Sequence, residues 1–439
     1  MPGQSDEDYL EGRDDQVRYL TTAEVARRLQ VKRETIYAYV SRGLLKSIRA
    51  RGRRGSLFAA ADVERLASRS VEHPGVVEGI ESELTLLEND ELYYRGHSAR
   101  SLATTRAVEE VAQLLWTGNL PERQQPMAAG GLRADQKAPR TDARVDGNAR
   151  ARKESRVMLA AEGGTPDRFP VVRELVEVAR AGMRVVPGAA RLTDRLRVAV
   201  AVLGAADPLR FDLSPQAVTA AAGRLIRTLV TALPGPTGSA RDTLGARLWP
   251  KLSTQPPRPE VLDAALILLA DHGLAVSTVA ARVAASARAN LYAVVSAGLG
   301  ALDGQYHGAA PTLAYEFLLR AQDDPLGALS DRLRSGEPVP GFGHKIYQNR
   351  DPRADVLLDL LGDHPIVETI DVLAARMPSF PNSDLAVAAM MHAYGFRPDA
   401  GDALFALARM VGWTAHALEE YAAPALRFRA IGVYTGQTA

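Results

Sequence analysis

From about residue 74 to the C-terminus, the apolar residues, mainly Ala, Val and Leu, recur at three- and four-residue spacing. This spacing lines one face of a helix, and no convincing runs alternate with the period of two that strands show. The pattern therefore predicts a mostly helical body. The predicted helices cover 106–116, 171–181, 192–203, 215–233, 259–269, 277–299, 311–320, 355–361, 364–376, 384–393 and 403–421.

One stretch of this body departs from the helical pattern. Between residues 124 and 155, Gly, Arg, Asp and Lys dominate and large apolar residues are scarce. Such a composition cannot bury enough apolar surface to form a core, so we predict an exposed, flexible insert at 124–155.

The N-terminal segment has a different pattern, with two short helices and a tight turn. Thr21 and Glu24 have the capping-box spacing, which predicts a helix from Thr22. A second helix carries apolar residues at 36, 37 and 40 and stops near Gly43, residues 46–58 resemble a two-stranded wing, and 62–66 a third helix. Over residues 18–70 this arrangement resembles the winged helix-turn-helix of the MerR and excisionase families.

Charge is concentrated in this segment. Residues 18–70 hold thirteen basic and four acidic side chains, a net charge of +9, while the whole chain is +1 and the remainder therefore −8. The resemblance implies DNA binding, with the second helix reading bases and the wing contacting phosphates. The implied base-reading residues are Lys32, Arg33, Thr35 and Tyr39, and the implied phosphate contacts are Arg49, Arg51, Arg53 and Arg54. The alternative is a solvated charged face on a docking appendage.

The amino-acid composition limits the class of protein and the kinds of site that the chain can form. The chain has 439 residues, of which 46% are hydrophobic and 24% charged, as in ordinary globular proteins. It contains no cysteine, which excludes disulfides, thiol nucleophiles and thiolate zinc sites. We expect a cytoplasmic protein, because no run is long and apolar enough for a membrane span and the acidic N-terminus lacks a signal-peptide pattern.

Polar residues interrupt the apolar helical pattern at several places in the body. They contribute three histidines, one aspartate and two arginines: His272, His307, His344, Asp384, Arg353 and Arg409. Each has a structural explanation when taken singly, since a lone histidine is more often a core residue and an aspartate after Asn-Ser is more often a helix cap. Together they indicate a site. No pair has the i, i+4 spacing of a zinc helix, so no metal is predicted.

The segments that contain these residues follow one another in a particular order and spacing. The segments are ADHGLAVST at 270–278, GQYHG at 304–308, GFGHKIY at 341–347, DPR at 351–353 and FPNSD at 380–384. In order and approximate spacing they resemble the active-site segments of the citrate synthase family, and 92–96 with 107–121 resemble its N-terminal signature. The resemblance runs from about residue 75 to the end.

This resemblance implies a mainly α fold, with citrate synthase-like large and small helical domains preceded by the small winged helix-turn-helix. The expected domains are 18–70 and 75–439, with a small domain at about 280–390. The implied reaction condenses acetyl-CoA or propionyl-CoA with oxaloacetate and releases citrate or 2-methylcitrate and CoA, with acyl-CoA as a substrate and no cofactor. The choice between the two acyl donors stays open, because a difference of one methylene gives an enzyme only about 1 to 3 kcal/mol of discrimination between substrates.

The family pattern also implies a role for each residue. Asp384 would be the base that removes a thioester methyl proton, and His307 would hydrogen-bond the thioester oxygen. His344 would donate to the alkoxide that forms on the oxo acid. His272, Arg353 and Arg409 would bind the oxo acid, because two guanidinium forks match two carboxylates.

A homodimer is implied as well. Family members take a further arginine from the partner subunit near a terminal Tyr-Thr-Gly, and here the spacing favours Arg429, with Arg427 as the alternative. Such a dimer would also pair two DNA-reading modules. The competing function is a non-catalytic DNA-binding regulator whose synthase-like domain senses a ligand. Retention of Asp384 and His344 favours an enzyme, because a sensor has no use for a base aimed at a thioester methyl group.

Overall fold

The chain divides into two compact units. The computed structural model describes residues 19–29, 33–41, 45–49, 56–60, 62–63, 79–121, 169–237, 242–304 and 307–428. Contacts group Met1–Glu81 with Leu426–Ala439 in one unit and Ser82–Ala425 in the other. The predicted insert at 124–155 lies outside the described residues.

The N-terminal unit contains two short helices and a three-stranded sheet. Its elements are β1 (Tyr19–Thr21), α1 (Thr22–Arg28), α2 (Arg33–Ser41), β2 (Ser47–Arg49) and β3 (Ser56–Ala59). The antiparallel strands lie in the order β1-β3-β2. Thr21 Oγ1 accepts from the Glu24 amide and Glu24 accepts from the Thr21 amide at 2.7 Å, which confirms the predicted capping box.

A small core holds this unit together, formed by Val25, Ala26, Ile36, Leu45, Phe58 and Val63. The two helices and the wing strands are confirmed, and β1 is an additional strand that was not predicted. Its middle residue, Leu20, pairs with Phe58 and packs against the core. Gly43 and the predicted third helix beyond Val63 lie outside the described residues.

The larger unit begins with a small sheet that the sequence pattern did not predict. It consists of β4 (Thr85–Glu88), β5 (Glu91–Tyr94) and β6 (His97–Ser98). Asn89 and Asp90 both have positive φ, 53° and 58°, and form the two-residue turn between β4 and β5. Strands of two to four residues are too short for a period of two to stand out in the sequence, although Leu92 and Tyr94 are buried at alternate positions of β5.

Fifteen helices follow in the part of this unit that the structure describes. They are α3 (Ala99–Thr105), α4 (Val108–Thr117), α5 (Arg173–Arg184), α6 (Leu192–Ala206), α7 (Pro215–Ala232), α8 (Leu244–Leu252), α9 (Pro259–Leu268), α10 (Val276–Ser286), α11 (Leu291–Leu302), α12 (Ala310–Ala321), α13 (Pro325–Ser335), α14 (Pro352–Leu361), α15 (Pro365–Ala374), α16 (Ser383–Ala393) and α17 (Ala400–Ala422). Every residue from 400 to 417 of α17 is buried, so this helix forms the centre of the core. No helix among the described residues is long and apolar enough to cross a membrane.

The helical prediction was wrong in one place and missed three helices. The single helix predicted at 277–299 is two helices, α10 and α11, because Arg288 takes a left-handed φ of 61° and the Asn290 side chain caps α11. Helices α3, α8 and α13 were not predicted. Only one residue of α13, Leu329, is buried, so its apolar pattern is weak, and α8 carries an internal proline, Pro250.

Candidate active site

Six residues from separate parts of the chain line one cavity of about 570 Å³ in the larger unit. They are His272, His307, His344, Arg353, Asp384 and Arg409. The first and last are 137 positions apart in sequence, and all six were singled out as site candidates. The structure therefore brings together every catalytic or substrate-binding candidate that lies in this unit.

Helix ends and turns supply most of these side chains. His272 follows the end of α9, where Gly273 has a φ of 60°, and His307 lies in the turn that precedes α12. Arg353 and Asp384 lie in the first turns of α14 and α16, and Arg409 projects from the middle of α17. Side chains at such positions can face a cavity while their helices pack in the core.

A glycine-rich turn joins the His344 segment to the start of α16. Gly341 has a φ of 85°, and an added Cβ there would lie 2.6 Å from Leu385 Cβ, so only glycine allows this approach. The Gly343 amide donates to the Phe380 carbonyl at 2.8 Å, and the Asn382 amide donates to the Gly341 carbonyl at 2.9 Å. These bonds hold the segment of His344 beside the segment of Asp384.

The hydrogen bonds of two histidines indicate which ring nitrogen can donate into the cavity. His344 Nδ1 accepts from the Ile346 amide at 3.0 Å and from the Tyr347 amide at 3.4 Å, so the neutral ring carries its proton on Nε2. His307 Nε2 lies 2.8 Å from Ser277 Oγ, which has no other hydrogen-bond partner in the described ranges. With the hydroxyl donating to Nε2, the neutral His307 ring carries its proton on Nδ1.

Burial keeps these histidines neutral. It lowers the pKa of His307 to about 4, with a further contribution from the Arg409 charge, and it lowers the pKa of His344 to about 4, assisted by Arg353. Burial also lowers the pKa of His272 well below its usual value, and Arg353 and Arg409 act in the same direction. At neutral pH all three are therefore uncharged rings that donate through one N–H.

Arg353 forms a buried ion pair with a neighbouring carboxylate. Its Nε and Nη2 donate to the two oxygens of Asp351 at 2.9 and 2.7 Å, and Asp351 also accepts from the Ser383 amide at 2.9 Å. Burial alone would raise the pKa of Asp351, but the Arg353 charge and the hydrogen bonds from Arg353 and the Ser383 amide together outweigh burial, and the pKa is lowered. Asp351 thus fixes the orientation of the Arg353 guanidinium.

Arg409 forms no ion pair with any described residue. It is only 2% exposed, its Nε donates to the Leu269 carbonyl at 2.9 Å, and its Nη1 is buried without a hydrogen bond to any described residue. Burial lowers its pKa, and the guanidinium lies 4.8 Å from the Phe405 ring centre. A buried, unsatisfied cationic donor is costly, so this position favours an anionic ligand.

Asp384 has the properties of a base. The Asn382 side chain accepts from the Asp384 and Leu385 amides at 3.0 and 3.2 Å and so caps α16. No hydrogen bond or ion pair to another described residue engages the Asp384 carboxylate. Burial raises its pKa to about 6, against the opposing effect of Arg353. The carboxylate is therefore free and more basic than an ordinary aspartate.

Sequence reasoning missed three residues that support the site: Ser277, Asp351 and Tyr347. All three are at most 3% exposed, and each binds one of the predicted residues. Each lies in one of the segments 270–278, 341–347 and 351–353. The sequence of those segments does not indicate which side chain each of these residues contacts.

The remaining candidates lie elsewhere. Arg429 lies outside the described residues, and Arg427 belongs to the other unit.

Of the DNA-binding candidates, four lie outside the described residues: Lys32, Arg51, Arg53 and Arg54. Arg33 and Arg49 are described only as members of α2 and β2. Thr35 is partly buried, and Tyr39 packs against the small core, whereas Tyr37 of the same helix is 61% exposed. Among the described residues, no cluster of histidines and carboxylates could hold a metal ion.

Comparison with known proteins gives consistent matches to both units. Residues 75–429 match the family described as citrate synthase, C-terminal domain, and residues 19–70 match a helix-turn-helix domain. A citrate synthase from Mycolicibacterium smegmatis is 30% identical over 375 residues, covering 80% of this chain and 90% of the relative. A 2-methylcitrate synthase from Mycobacterium tuberculosis is 28% identical over 382 residues, covering 80% and 86%. The crystal structure of a citrate synthase from Thermotoga maritima has the same fold, with a TM-score of 0.62 at 24% identity over 83% of this chain and 95% of that one.

Proposed function

Since the chain belongs to the citrate synthase family, we propose that it condenses acetyl-CoA or propionyl-CoA with oxaloacetate and releases citrate or 2-methylcitrate and free CoA. One observation carries the proposal. A free carboxylate of raised pKa, Asp384, shares a cavity with three neutral histidines and two buried guanidinium groups. This set contains the base, the hydrogen-bond donors and the carboxylate clamps that the reaction needs.

The first step is proton removal from the thioester. Asp384 takes a proton from the carbon next to the thioester carbonyl, and the electron pair moves onto the thioester oxygen. The Nδ1–H of His307 donates to that oxygen as charge develops, which makes the weakly acidic C–H accessible to a carboxylate. Because His307 is already neutral, it stabilises the enolate as a hydrogen-bond donor and not as a cation.

The second step forms the carbon–carbon bond. The enolate carbon attacks the oxo carbon of oxaloacetate, and the Nε2–H of His344 hydrogen-bonds the oxygen as it becomes an alkoxide. That oxygen then takes up one proton to become the hydroxyl, which balances the proton that Asp384 removed and releases again. Arg353 and Arg409 hold the two carboxylates of oxaloacetate. The Nη1 of Arg409, which no described residue engages, is available to one of them. Water then adds to the thioester carbonyl, the C–S bond breaks and CoA leaves with a proton on its sulfur.

The predicted small domain, at about 280–390, contains only some of the residues that line this cavity. His307, His344, Arg353 and Asp384 lie within that range, whereas His272 and Arg409 lie outside it. We propose that the two parts close on the oxo acid before the acyl-CoA reacts, which would exclude water from the enol.

Release of free CoA from acetyl-CoA and from propionyl-CoA, each with oxaloacetate, tests the function. We expect oxaloacetate-dependent release with at least one donor, and kcat/KM for the two donors identifies the product. Folded protein that binds oxaloacetate but releases no CoA from either donor would contradict the proposal and support a ligand sensor instead.

The activity should depend on pH through Asp384. The base acts only when ionised, so kcat/KM for the acyl-CoA should fall about tenfold per unit below a pH of about 6. The histidines are neutral above a pH of about 4 and should add no further loss before then. The measurement is kcat/KM between about pH 5 and 8, with circular dichroism at each pH to show that the protein stays folded. A midpoint near 7 would point to a histidine as the base.

We also propose that the N-terminal unit binds DNA, supported by the helix-turn-helix match and the net charge of +9 over residues 18–70. Affinity should fall steeply with salt, because log K falls by about 0.9 per neutralised phosphate for each log unit of salt. Replacing Arg51, Arg53 and Arg54 by Ala should weaken binding to all sequences and flatten this slope by roughly one unit for each phosphate that is no longer neutralised.

The matched control replaces three exposed arginines of the larger unit, Arg184, Arg320 and Arg376, by Ala. This variant should keep the salt slope of the wild type, and both variants should keep the rate of CoA release. Absence of binding at low salt would assign the N-terminal unit to docking.

A homodimer is the expected assembly. It would bring Arg429, or Arg427, of a partner subunit to the oxo acid and would place two DNA-reading modules on one particle. Sedimentation analysis tests the assembly. Recovery of activity on mixing a dimer inactivated at Asp384 with one lacking Arg429 would show that the arginine acts across the interface.

A further inference from the structure

Tyr347 contacts three of the residues assigned to the oxo acid. Its hydroxyl lies 3.1 Å from His272 Nε2, its ring centre lies 4.8 Å from that of His344, and the Arg353 guanidinium lies 5.4 Å from the ring centre. The side chain is 3% exposed. His272 and His344 also meet each other, with ring centres 5.0 Å apart and nearly perpendicular.

The hydroxyl determines which nitrogen of His272 can donate. Within the described part of the chain, Tyr347 Oη has no hydrogen-bond partner other than His272 Nε2. If Nε2 carried the proton, the buried Tyr347 hydroxyl would be left without an acceptor, which is costly. The satisfied arrangement has the hydroxyl donating to Nε2, so that the neutral His272 ring carries its proton on Nδ1.

The ring has a separate effect on Arg353 and His344. A guanidinium within about 6 Å of an aromatic centre is attracted to the ring face. Asp351 holds the Nε and Nη2 side of Arg353, and Tyr347 contacts the same guanidinium through its ring. The backbone amide of Tyr347 donates to His344 Nδ1, which helps to leave the His344 proton on Nε2.

We propose that Tyr347 is a positioning residue for the oxo acid. Its hydroxyl orients His272 so that Nδ1–H donates to an oxygen of the bound oxaloacetate, and its ring supports Arg353 and His344. The inference rests on the proposed function for the identity of the ligand. The orientation of His272 can be measured without turnover.

The first test is Tyr347→Phe, which keeps the ring and removes only the hydroxyl. Loss of one such hydrogen bond should weaken oxaloacetate binding roughly 3- to 10-fold by calorimetry. The KM for acyl-CoA should stay within about twofold, since the acyl donor does not contact Tyr347 in this scheme. Tyr421→Phe is the matched control, because its hydroxyl donates to the Ala289 carbonyl at 2.6 Å away from the cavity. That variant should keep wild-type oxaloacetate affinity.

The second test combines Tyr347→Phe with His272→Gln. If the hydroxyl acts through His272, it should have little remaining effect on oxaloacetate affinity once the imidazole is gone. Nitrogen-15 NMR of the wild-type protein should show His272 protonated on Nδ1, and this preference should weaken in Tyr347→Phe.

The outcomes of these tests distinguish failure of the proposed function from failure of the role proposed for Tyr347. Oxaloacetate binding without CoA release would contradict the proposed function and leave the role of Tyr347 supported if the affinity change is seen. Unchanged oxaloacetate affinity in a folded Tyr347→Phe variant, or a wild-type His272 protonated on Nε2, would overturn the role of Tyr347 whether or not the protein releases CoA.

Discussion

Replacing Asp384 by Asn should lower kcat by about 10² to 10⁴-fold, the usual contribution of a positioned general base. An amide cannot accept the thioester proton, and no hydrogen bond or ion pair to another described residue depends on the Asp384 carboxylate. Oxaloacetate affinity should therefore persist. Stopped assays of CoA release and calorimetry of oxaloacetate binding measure the two quantities separately.

Stability provides the check that such a variant is folded. Because burial raises the pKa of Asp384 to about 6, the proton-bound form stabilises the native state at low pH, and this contribution is lost as the pH rises through 6. Asn removes the buried charge, so at pH 7 the variant should resist denaturant at least as well as the wild type. Asp371→Asn, at an exposed position of α15, is the matched control and should keep full activity. Near-normal turnover by Asp384→Asn would remove this residue from the mechanism.

Replacing Arg353 by Ala should damage both the fold and the site. The change leaves Asp351 buried at 0% exposure without its cation, and loss of one partner of a buried pair costs about 3 to 5 kcal/mol in the free energy of unfolding. Oxaloacetate binding should weaken as well, because one carboxylate clamp is removed. Urea denaturation and calorimetry measure the two effects.

A double variant separates the structural role of Arg353 from its role in binding. Asp351→Asn combined with Arg353→Gln replaces the charged pair by two neutral amides that can hydrogen-bond each other. This variant should recover much of the lost unfolding free energy but not the oxaloacetate affinity. Recovery of both quantities would show that Arg353 only supports the fold, whereas a single Arg353→Ala variant of wild-type stability would contradict the buried ion pair.

The sequence was sufficient where the relevant interaction is local. Helical periodicity identified most of the helices in the larger unit because their buried faces repeat every three to four residues, and Thr21 with Glu24 identified the start of α1 because capping acts over three positions. Periodicity failed where the local signal is short or absent. The residues of α10 and α11 continue one apolar pattern, and the left-handed backbone at Arg288 and the cap at Asn290 separate them.

Ordered motifs also identified His272, His307, His344, Arg353, Asp384 and Arg409 as candidates, because the family resemblance preserves their order and approximate spacing. Their contacts with residues distant in sequence were decided by packing alone. Ser277 and His307 are thirty residues apart and Tyr347 and His272 seventy-five, yet each pair shares one hydrogen bond.

The protonation states follow from the same packing. An ordinary aspartate becomes a base with a pKa of about 6, and two histidines stay neutral down to a pH of about 4, only because α9, α12, α14, α16 and α17 remove them from water around two fixed guanidinium groups. Residue identity determines which groups can titrate, and order along the chain indicates that they belong together. Desolvation and the distances between charges exist only in the folded chain, so the chemistry of each group was decided by the tertiary structure.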